Sequence, residues 1–569
     1  MLQRMLVGTR RQVPPIHGVL RLALVFCFFV LITAVLFKPW IEYISTILIG
    51  PPTDNMQDFW NSWYAAVAAN RHEFFFTKLI RFPEGTSLQY HSFCYLQVFA
   101  VAVITEIIGL NRATLISVHN LTLLFSFPLA GTGAFLLVRR FAHLTWASLV
   151  GGYVFAFSPW HVQQVMFHAH TSEIGFIPFF VFAYLEAIDR KSVQWLVAAI
   201  FFYTLSALCS WYYLFYLAFF VIFHTTFMVF HDRVPLRGWE LRAPLLCLGG
   251  TAVLLAPLLI PMALTSSAKA YDYGWNAYVI DLPAFLMPPQ THLLSANLGS
   301  RYRDFSDFGL EGVAYLGIVN VGLLCWLGVR HRSTKLPVWY VFAGIITFSV
   351  LAFGMFLHAF HYNLWIPLPD ILFVNLPFVA NIRTPARTVV MVYLFLSIGV
   401  GCALALAWSE TPTIKRRALA IAAAVLLTID FVPSHLLSTQ ATCPGILQII
   451  RDDPEHDFGV LNWPRNYPAR NEPMLQQTCH GRPVVLAVVS RVLSPSLIDR
   501  IEARNLVRQR EQLRRAKVKY IVMRPPGTGL AEWMPEDGAF APYLDTYPIV
   551  ARSPDFIVFK VYGVSPLHQ

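Results

Sequence analysis

Charged residues are scarce in this sequence. Asp, Glu, Lys and Arg together make up 13% of its 569 residues, whereas about 25% is typical of soluble domains. Hydrophobic residues make up 56%, and this excess excludes an ordinary soluble globular protein. A chain of this length is better accounted for by apolar helices of about 20 residues that cross a bilayer.

Several familiar motifs are also missing. The sequence contains no P-loop, Rossmann glycine pattern, HExxH motif or GxSxG elbow, which argues against the corresponding nucleotide, zinc and serine chemistries. No CxxC pair occurs among its eight cysteines, so a cysteine metal site is not expected. Cys443 and Cys479 lie in the polar C-terminal region, and they are able to pair if that region faces an oxidising compartment.

Basic residues outnumber acidic ones, with a net charge of +11. Nucleic acid is not the expected partner, because membrane proteins collect Lys and Arg in cytoplasmic loops. No stripe of alternating aromatic and basic residues suggests base stacking either. Membrane lipids are the expected surroundings.

Apolar segments recur along most of the chain and predict about eleven transmembrane helices. They lie near 19–38, 114–138, 144–160, 174–188, 194–209, 212–230, 243–265, 313–329, 337–357, 389–408 and 418–434. If the N-terminus is cytoplasmic, every short basic loop, such as Arg139-Arg140 and Lys415-Arg416-Arg417, falls on the cytoplasmic side. This agreement requires that the short apolar stretch 94–110, which contains Glu106, lie against the outer face without crossing.

Two domains follow from this topology. Residues 1–435 form an all-α polytopic membrane domain with outer loops at 41–93, 266–312 and 358–388. Residues 436–569 form a small extracytoplasmic soluble α/β domain, with predicted strands at 458–462, 484–489, 520–523 and 556–561 and a charged helix over 496–517. Loops longer than about 12–15 residues are uncommon unless they are functional.

Acidic side chains close to a bilayer are costly and are usually tied to function. Asp54 and Asp58 lie in the first outer loop, just after the first apolar segment, and in a helix they would share a face. One carboxylate there is suited to act as a general base, and two are suited to hold a divalent cation, Mg²⁺ or Mn²⁺. Helix capping by the Thr53-Asp54-Asn55 stretch is the structural alternative.

Further polar residues of the first loop are candidates for substrate binding. Trp60 precedes an aromatic stretch that also suits an interfacial belt. Glu84 lies within Pro83-Glu84-Gly85, which also suits a turn. His91 follows in Tyr90-His91-Ser92.

The outer end of the third apolar segment carries His161, His168, His170 and Glu173. In a helix, His161 and His168 would share a face, and His170 would pair with Glu173. Their spacing matches no zinc signature, so contact with a substrate or with headgroups is favoured over metal binding.

Arg383 and Arg387 lead into the tenth apolar segment from outside. Arginine at an outer boundary runs against the positive-inside trend, so these charges need a partner. A phosphate or pyrophosphate matches the guanidinium fork, and snorkelling toward lipid headgroups is the alternative.

These residues together resemble the GT-C superfamily of membrane glycosyltransferases, and most closely its largely uncharacterised bacterial multi-pass members. The resemblance rests on Thr53-Asp54 with Gln57 and Trp60, on Phe82-Pro83-Glu84-Gly85, and on Ala156-Phe157-Ser158-Pro159. It also rests on the stretch 383–387 and on the segment from Pro464 through Ser490-Arg491. Better-characterised members carry an Asp-Glu or Asp-x-Asp pair in the first loop, which this sequence lacks.

The resemblance implies a sugar transfer outside the cytoplasmic membrane. The donor would be a polyprenyl-phosphate sugar and the acceptor a lipid-linked or envelope glycan. Asp54 would be the catalytic base, Asp58 would support it, and the two arginines would stabilise the departing phosphate. No cofactor is certain, and a divalent cation is an open alternative. A transporter or flippase, or a non-catalytic assembly factor for envelope polysaccharide, is the rival interpretation; a transporter of this kind would show broken helices in two related halves.

Overall fold

The computed structural model describes residues 15–68, 74–264, 278–289, 291–293, 309–330, 336–372, 384–465, 471–490, 494–528 and 533–563. Helices dominate the described residues, and each of the eleven apolar segments coincides with a helix whose ends differ by a few residues. These helices are Pro15–Leu36, Arg112–Ala142, Thr145–Ala156, Phe176–Arg190, Val193–Cys209, Trp211–Phe230, Trp239–Leu264, Ile318–Val329, Val338–Ala352, Val389–Glu410 and Arg416–Phe431.

Six helical stretches in the described ranges are long and apolar enough to cross a membrane, and the protein is a membrane protein. They are Gly18–Leu36, Arg112–Ala142, Ala169–Arg190, Trp211–Phe230, Trp239–Leu264 and Pro385–Glu410. Shorter apolar helices accompany them, including Tyr95–Ile108, which at about 1.5 Å per residue is shorter than a bilayer core. The full count of eleven crossings and their orientation stay predictions.

One helix lies at the centre of the bundle. Val389–Glu410 is buried along nearly its whole length and packs against four neighbours, namely Arg112–Ala142, Thr145–Ala156, Ile318–Val329 and Val338–Ala352. Peripheral helices instead expose apolar side chains such as Val19 and Val253. Apolar side chains on the outside are expected in a bilayer, because their contact with lipid chains carries no penalty of the kind that exposure to water would.

The first outer loop is folded onto this bundle. Its strand Ile47–Ile49 pairs antiparallel with Ser438–Gln440, and the helix Asp54–Ala68 follows after a turn. Asn55 holds that turn, since its amide donates to the carbonyls of Ile49 and Gly50. A small hairpin, Phe76–Thr77 with Thr86–Ser87, and the helix Tyr95–Ile108 complete the loop.

The C-terminal region contains a four-stranded mixed sheet. Gly459–Trp463 runs parallel to Val518–Met523, which pairs antiparallel with Ile557–Lys560, and Ile549–Arg552 forms the far edge. The helices around it are Gln448–Arg451, Glu472–His480, Leu497–Arg500, Leu506–Arg515 and Ala541–Thr546.

Two expectations for this region are wrong. The stretch 484–489 is not a strand, and only Val484 makes isolated bridges, to Ile80 and Val460. The expected helix over 496–517 is divided into Leu497–Arg500 and Leu506–Arg515. Asn505 is the N-cap of the second helix, because its side chain accepts from the Arg508 amide. A new helix therefore begins within the charged run, and the run does not form one continuous helix.

The C-terminal region packs directly on the first outer loop. Trp60, Tyr64 and Ile80 share one buried apolar cluster with Phe458 and Tyr520. The helix Glu472–His480 lies along the helix Asp54–Ala68. Cys443 and Cys479, left open from the sequence, form a disulfide that ties this helix to the preceding segment. The division at residue 435 stays a prediction, although the two parts are in close contact.

Candidate active site

The structure brings five charged or titratable residues from three segments into one cluster, which we call the acidic–basic cluster. It comprises Asp54, Asp58, His168, His170 and Arg387, and a sixth residue, Glu311, joins them. Asp54 opens the helix Asp54–Ala68. An acid in the first turn is favoured there, because the amides at a helix N-terminus carry partial positive charge.

Asp54 and Asp58 lie on one face of their helix, as expected from their spacing, but their surroundings differ. The Asp54 side chain is 46% exposed, whereas that of Asp58 is 4% exposed. Asp58 Oδ2 is buried and has no hydrogen-bond partner within the described ranges. Asp54 is therefore the carboxylate of the pair that a dissolved or membrane-borne substrate is able to reach.

His168 and His170 connect the two acids to the rest of the cluster. His168 Nδ1 is 3.4 Å from Asp54 Oδ2, and its Nε2 is 3.1 Å from Glu311 Oε1. His170 Nδ1 is 3.6 Å from Asp58 Oδ1. Both imidazoles are largely buried, and His168 separates the carboxylates of Asp54 and Glu311, so its substitution would expose them to each other's charge.

Electrostatics favour the ionised form of Asp54. Burial raises the pKa of this carboxyl, but the hydrogen bond and charge of His168, with the charges of His170 and Arg387, outweigh that effect and lower the pKa to about 2. The pKa of Glu311 is also about 2, because the charges of Arg387 and His168 outweigh its burial. Both groups are carboxylates at neutral pH.

Arg387 is engaged within the protein. Its Nε donates to Glu311 Oε2 at 3.1 Å and a second guanidinium nitrogen donates to Oε1, while NH1 lies 3.3 Å from His170 Nε2. The guanidinium carbon also lies 4.9 Å from the centre of the Tyr212 ring. The sequence predicts a charged partner for Arg387, and in the structure that partner is the carboxylate of Glu311. Arg383 falls outside the described residues.

Glu311 was missed by the sequence reasoning, although a signal for it existed. It lies two residues before the apolar segment that begins near 313, and the same rule that drew attention to Asp54, an acid next to a membrane segment, applies to it. Its pairing with Arg387 across 76 residues follows only from the tertiary structure.

The other expected site residues lie apart from the cluster or are used in packing. Trp60 is fully buried, stacks on Tyr64 and donates to Gln477 Oε1 at 2.7 Å. Glu84 pairs with Arg500 and accepts from the Leu497 amide, so it joins the first loop to the C-terminal region.

His91 and His161 are buried in the protein interior. Burial, with a smaller effect of the His170 charge, lowers the pKa of His91 to about 3, and its Nε2 lies 2.9 Å from Asn61 Oδ1. His161 is fully buried and its ring nitrogens lie close to the carbonyls of Ala156 and Ser172. Neither is open to a substrate.

The helical spacing expected around these histidines does not occur. The helix Pro159–Phe167 ends before His168, so His161 and His168 do not share a helical face. Glu173 accepts from the Gly175 amide, while His170 points to Asp58 and Arg387. The chain turns through Ala169–Thr171 instead of continuing the helix, and that turn carries both imidazoles to the aspartates.

The cluster does not have the geometry of a metal site as it stands. Its mixed imidazole and carboxylate donors suit a transition metal by chemistry. Within the described ranges, however, no three His, Cys, Asp or Glu side chains converge as metal ligands. His168 lies between Asp54 and Glu311 and contacts both, and the divalent cation suggested by the sequence stays a prediction.

Comparison with solved structures identifies the fold. The oligosaccharyltransferase AglB from Archaeoglobus fulgidus, in complex with an inhibitory peptide and a dolichol-phosphate, is similar with a TM-score of 0.54 and 12% identity, over 88% of this chain and 69% of that one. The arabinofuranosyltransferase AftD from Mycobacteria gives a TM-score of 0.55 and 14% identity, over 95% of this chain but only 40% of its own length. The chain therefore has a GT-C-like fold, as the resemblance implied.

Comparison by sequence gives a family. No curated protein matches the chain. A family model described as "Domain of unknown function (DUF6311)" matches residues 20–431, which is well over half of the 569 residues. This chain belongs to the DUF6311 family.

Proposed function

We propose that the protein is a membrane glycosyltransferase. It moves a sugar from a polyprenyl-phosphate donor to a lipid-linked or envelope glycan acceptor at the outer face of the cytoplasmic membrane. The observation that carries this proposal is Asp54, a carboxylate that is 46% exposed and has a pKa of about 2, beside two imidazoles and the buried guanidinium of Arg387 in a protein with a GT-C-like fold.

The solved structures support the class of reaction. AglB is an oligosaccharyltransferase whose structure holds a dolichol-phosphate, and AftD is an arabinofuranosyltransferase. Both names describe transfer of a sugar, and the first places a polyprenyl-type phosphate in a protein of this fold. The likeness itself extends only to the fold, so donor and acceptor are part of the proposal.

In the proposed reaction, the bond between the sugar anomeric carbon and the donor phosphate oxygen breaks. The acceptor hydroxyl oxygen forms the new bond to that carbon from the opposite face, so the configuration inverts. The hydroxyl proton passes to an Asp54 carboxylate oxygen and then to water. The phosphate leaves as an anion and needs no proton from the protein.

The low pKa of Asp54 defines what this residue contributes. A carboxylate whose pKa is about 2 is ionised under all working conditions, but it is a weak base. Its main effect is to accept a hydrogen bond from the acceptor hydroxyl, to orient it, and to take the proton late, as the new carbon–oxygen bond forms. This suits a transition state in which positive charge develops on the sugar ring before the nucleophile bonds, as in glycoside hydrolysis.

The departing phosphate would be stabilised by hydrogen-bond donors of the cluster. Arg387 contacts Glu311 through two nitrogens and lies 3.3 Å from His170 through the third. We propose that the phosphate approaches the cluster from the exposed side of Asp54 and contacts the Arg387 guanidinium and N–H groups of His168 and His170 there. Arg383 remains a candidate for direct contact with the phosphate.

The decisive experiment is a donor-turnover assay. Purified protein is incubated with polyprenyl-phosphate sugars and a membrane acceptor fraction, and release of polyprenyl phosphate is measured. The wild type is expected to release it, and Asp54→Asn to be slower by about 10²–10⁴-fold, because its amide does not accept the proton. Asp457→Asn, at a surface carboxylate that is 77% exposed, is the control and should match the wild type. Full activity in Asp54→Asn, or no release by the wild type from any donor, would contradict the proposal.

A further inference from the structure

One of the segments that contact Asp54 comes from the C-terminal region. The helix Glu472–His480 packs along the helix Asp54–Ala68. The disulfide from Cys443 to Cys479 holds the far end of this C-terminal helix, and Gln477 fixes its middle by accepting from the Trp60 indole. The N-terminal end of the same helix is thereby presented to the start of the helix that Asp54 begins.

Asn471 occupies that end and contacts Asp54 directly. Its side-chain nitrogen Nδ2 donates to Asp54 Oδ1 at 3.2 Å and to the Thr53 carbonyl oxygen at 3.2 Å. The opposite oxygen of Asp54, Oδ2, faces His168. Asn471 and His168 therefore hold the two carboxylate oxygens from two sides, and rotation of the carboxylate would break one of these contacts.

The other end of the Asn471 amide is not satisfied. Asn471 is 3% exposed, and no donor among the described residues reaches its oxygen Oδ1. A buried amide kept only for packing would have both ends paired, because leaving a buried acceptor without a donor is costly. This side chain instead donates from its nitrogen to Asp54 and Thr53, while its oxygen lacks a donor in the part of the chain that the structure describes.

We propose that Asn471 is a positioning residue for Asp54, so that the C-terminal region completes the active site of the membrane domain. This inference rests on the proposed function. Its physical content is that the amide N–H fixes the carboxylate in the orientation that receives the acceptor hydroxyl. The other members of the acidic–basic cluster, Asp58, His168, His170, Glu311 and Arg387, are all unchanged in the test.

The test uses the full chain in the donor-turnover assay. Asn471→Ala removes the hydrogen bond and should lower kcat about 10-fold, with the KM for the donor changed less than about two-fold, since the interaction orients a group that does not bind the donor lipid. Gln509→Ala is the matched control. It removes an equally buried amide of the C-terminal region, which bonds Tyr543, and should leave kcat near the wild-type value.

The pH dependence of Asn471→Asp provides a second test, because a purely structural role of Asn471 would not change it. A protonated carboxyl donates to Asp54 as the amide does, whereas an ionised one repels it, and two carboxyls at this distance share a proton until the pH rises well above their usual pKa range. The rate of Asn471→Asp relative to wild type should therefore be highest at acidic pH and fall between about pH 5 and 7.

The outcomes separate the two proposals. If the wild type turns over donor and Asp54→Asn does not, but Asn471→Ala retains full kcat or the relative rate of Asn471→Asp is independent of pH, the positioning role is overturned and the proposed function stands. If the wild type releases no polyprenyl phosphate, both fall together.

Discussion

At the scale of single residues, Glu311 and Arg387 form a buried ion pair with two contacts in the acidic–basic cluster. Both side chains are nearly buried, at 10% and 7% exposed, and two guanidinium nitrogens contact the carboxylate. A buried charge that loses its partner cannot be compensated by water, so breaking such a pair costs more than the pair itself contributes. Glu311 therefore matters even though it does not face the proposed acceptor.

This predicts a coupling that a double-mutant cycle measures. Glu311→Gln and Arg387→Gln are each expected to lower the free energy of unfolding in detergent by about 3–5 kcal/mol, and the double variant to lose less than the sum by about 0.5–3 kcal/mol. The exposed pair Lys38 and Glu42, at 72% and 52% exposed, is the control and should show no measurable coupling. Strict additivity at Glu311 and Arg387 would contradict the interaction.

At the scale of elements, the active site depends on a close approach between two segments. Gly50 stands between the strand Ile47–Ile49 and the helix that begins at Asp54, with a φ of +100°. A Cβ on this residue would lie 1.8 Å from the Met166 carbonyl oxygen, in the helix that leads to His168. Only glycine allows the two backbones to meet here, and this contact sets the distance between Asp54 and His168.

Gly50→Ala is accordingly expected to reduce donor turnover at least about 10-fold, because the displaced loop loses the contact between Asp54 and His168. Gly109→Ala is the matched control, since Gly109 also has a positive φ, +97°, but a Cβ there meets nothing within 4 Å. Its backbone strain is similar and its effect on turnover should be small. Equal loss in both variants would show that strain, and not the close contact, is responsible.

At the scale of the whole molecule, the proposed chemistry requires that the C-terminal region lie outside the cytoplasm with the acidic–basic cluster. The direct packing of Glu472–His480 on Asp54–Ala68 already places both parts on one side of the helix bundle. The disulfide between Cys443 and Cys479 is consistent with an oxidising compartment.

Labelling with a membrane-impermeant maleimide in intact cells tests the orientation. Two highly exposed positions lie on opposite sides in the predicted topology: Val507, at 79% exposed, in the C-terminal region, and Ile414, at 91%, in the loop before the last helix. Val507→Cys is expected to be labelled without lysis and Ile414→Cys only after the membrane is opened. The reverse pattern would contradict the orientation and, with it, the proposed location of the reaction.

The features that can be predicted from the sequence differ between these scales. Helix positions followed from hydrophobicity alone, since a bilayer admits few alternatives for a polytopic chain. Asp54 and Asp58 followed from the cost of acids near a membrane, and His168, His170 and Arg387 from polar residues at segment ends. The sequence predicts substrate contact for Trp60 and His161, but the structure buries both. A single sequence does not distinguish a side chain at the membrane interface from one that other parts of the protein cover.

The sequence by itself determined that this chain is a helical membrane protein with polar chemistry gathered at the ends of its apolar segments, because hydrophobic length and charge placement are local properties. Only the tertiary structure decided which of those groups meet. Arg387 meets His170 across 217 residues and Asn471 meets Asp54 across 417. Contacts at such separations depend on how the helices and the C-terminal region pack, which no local sequence pattern records.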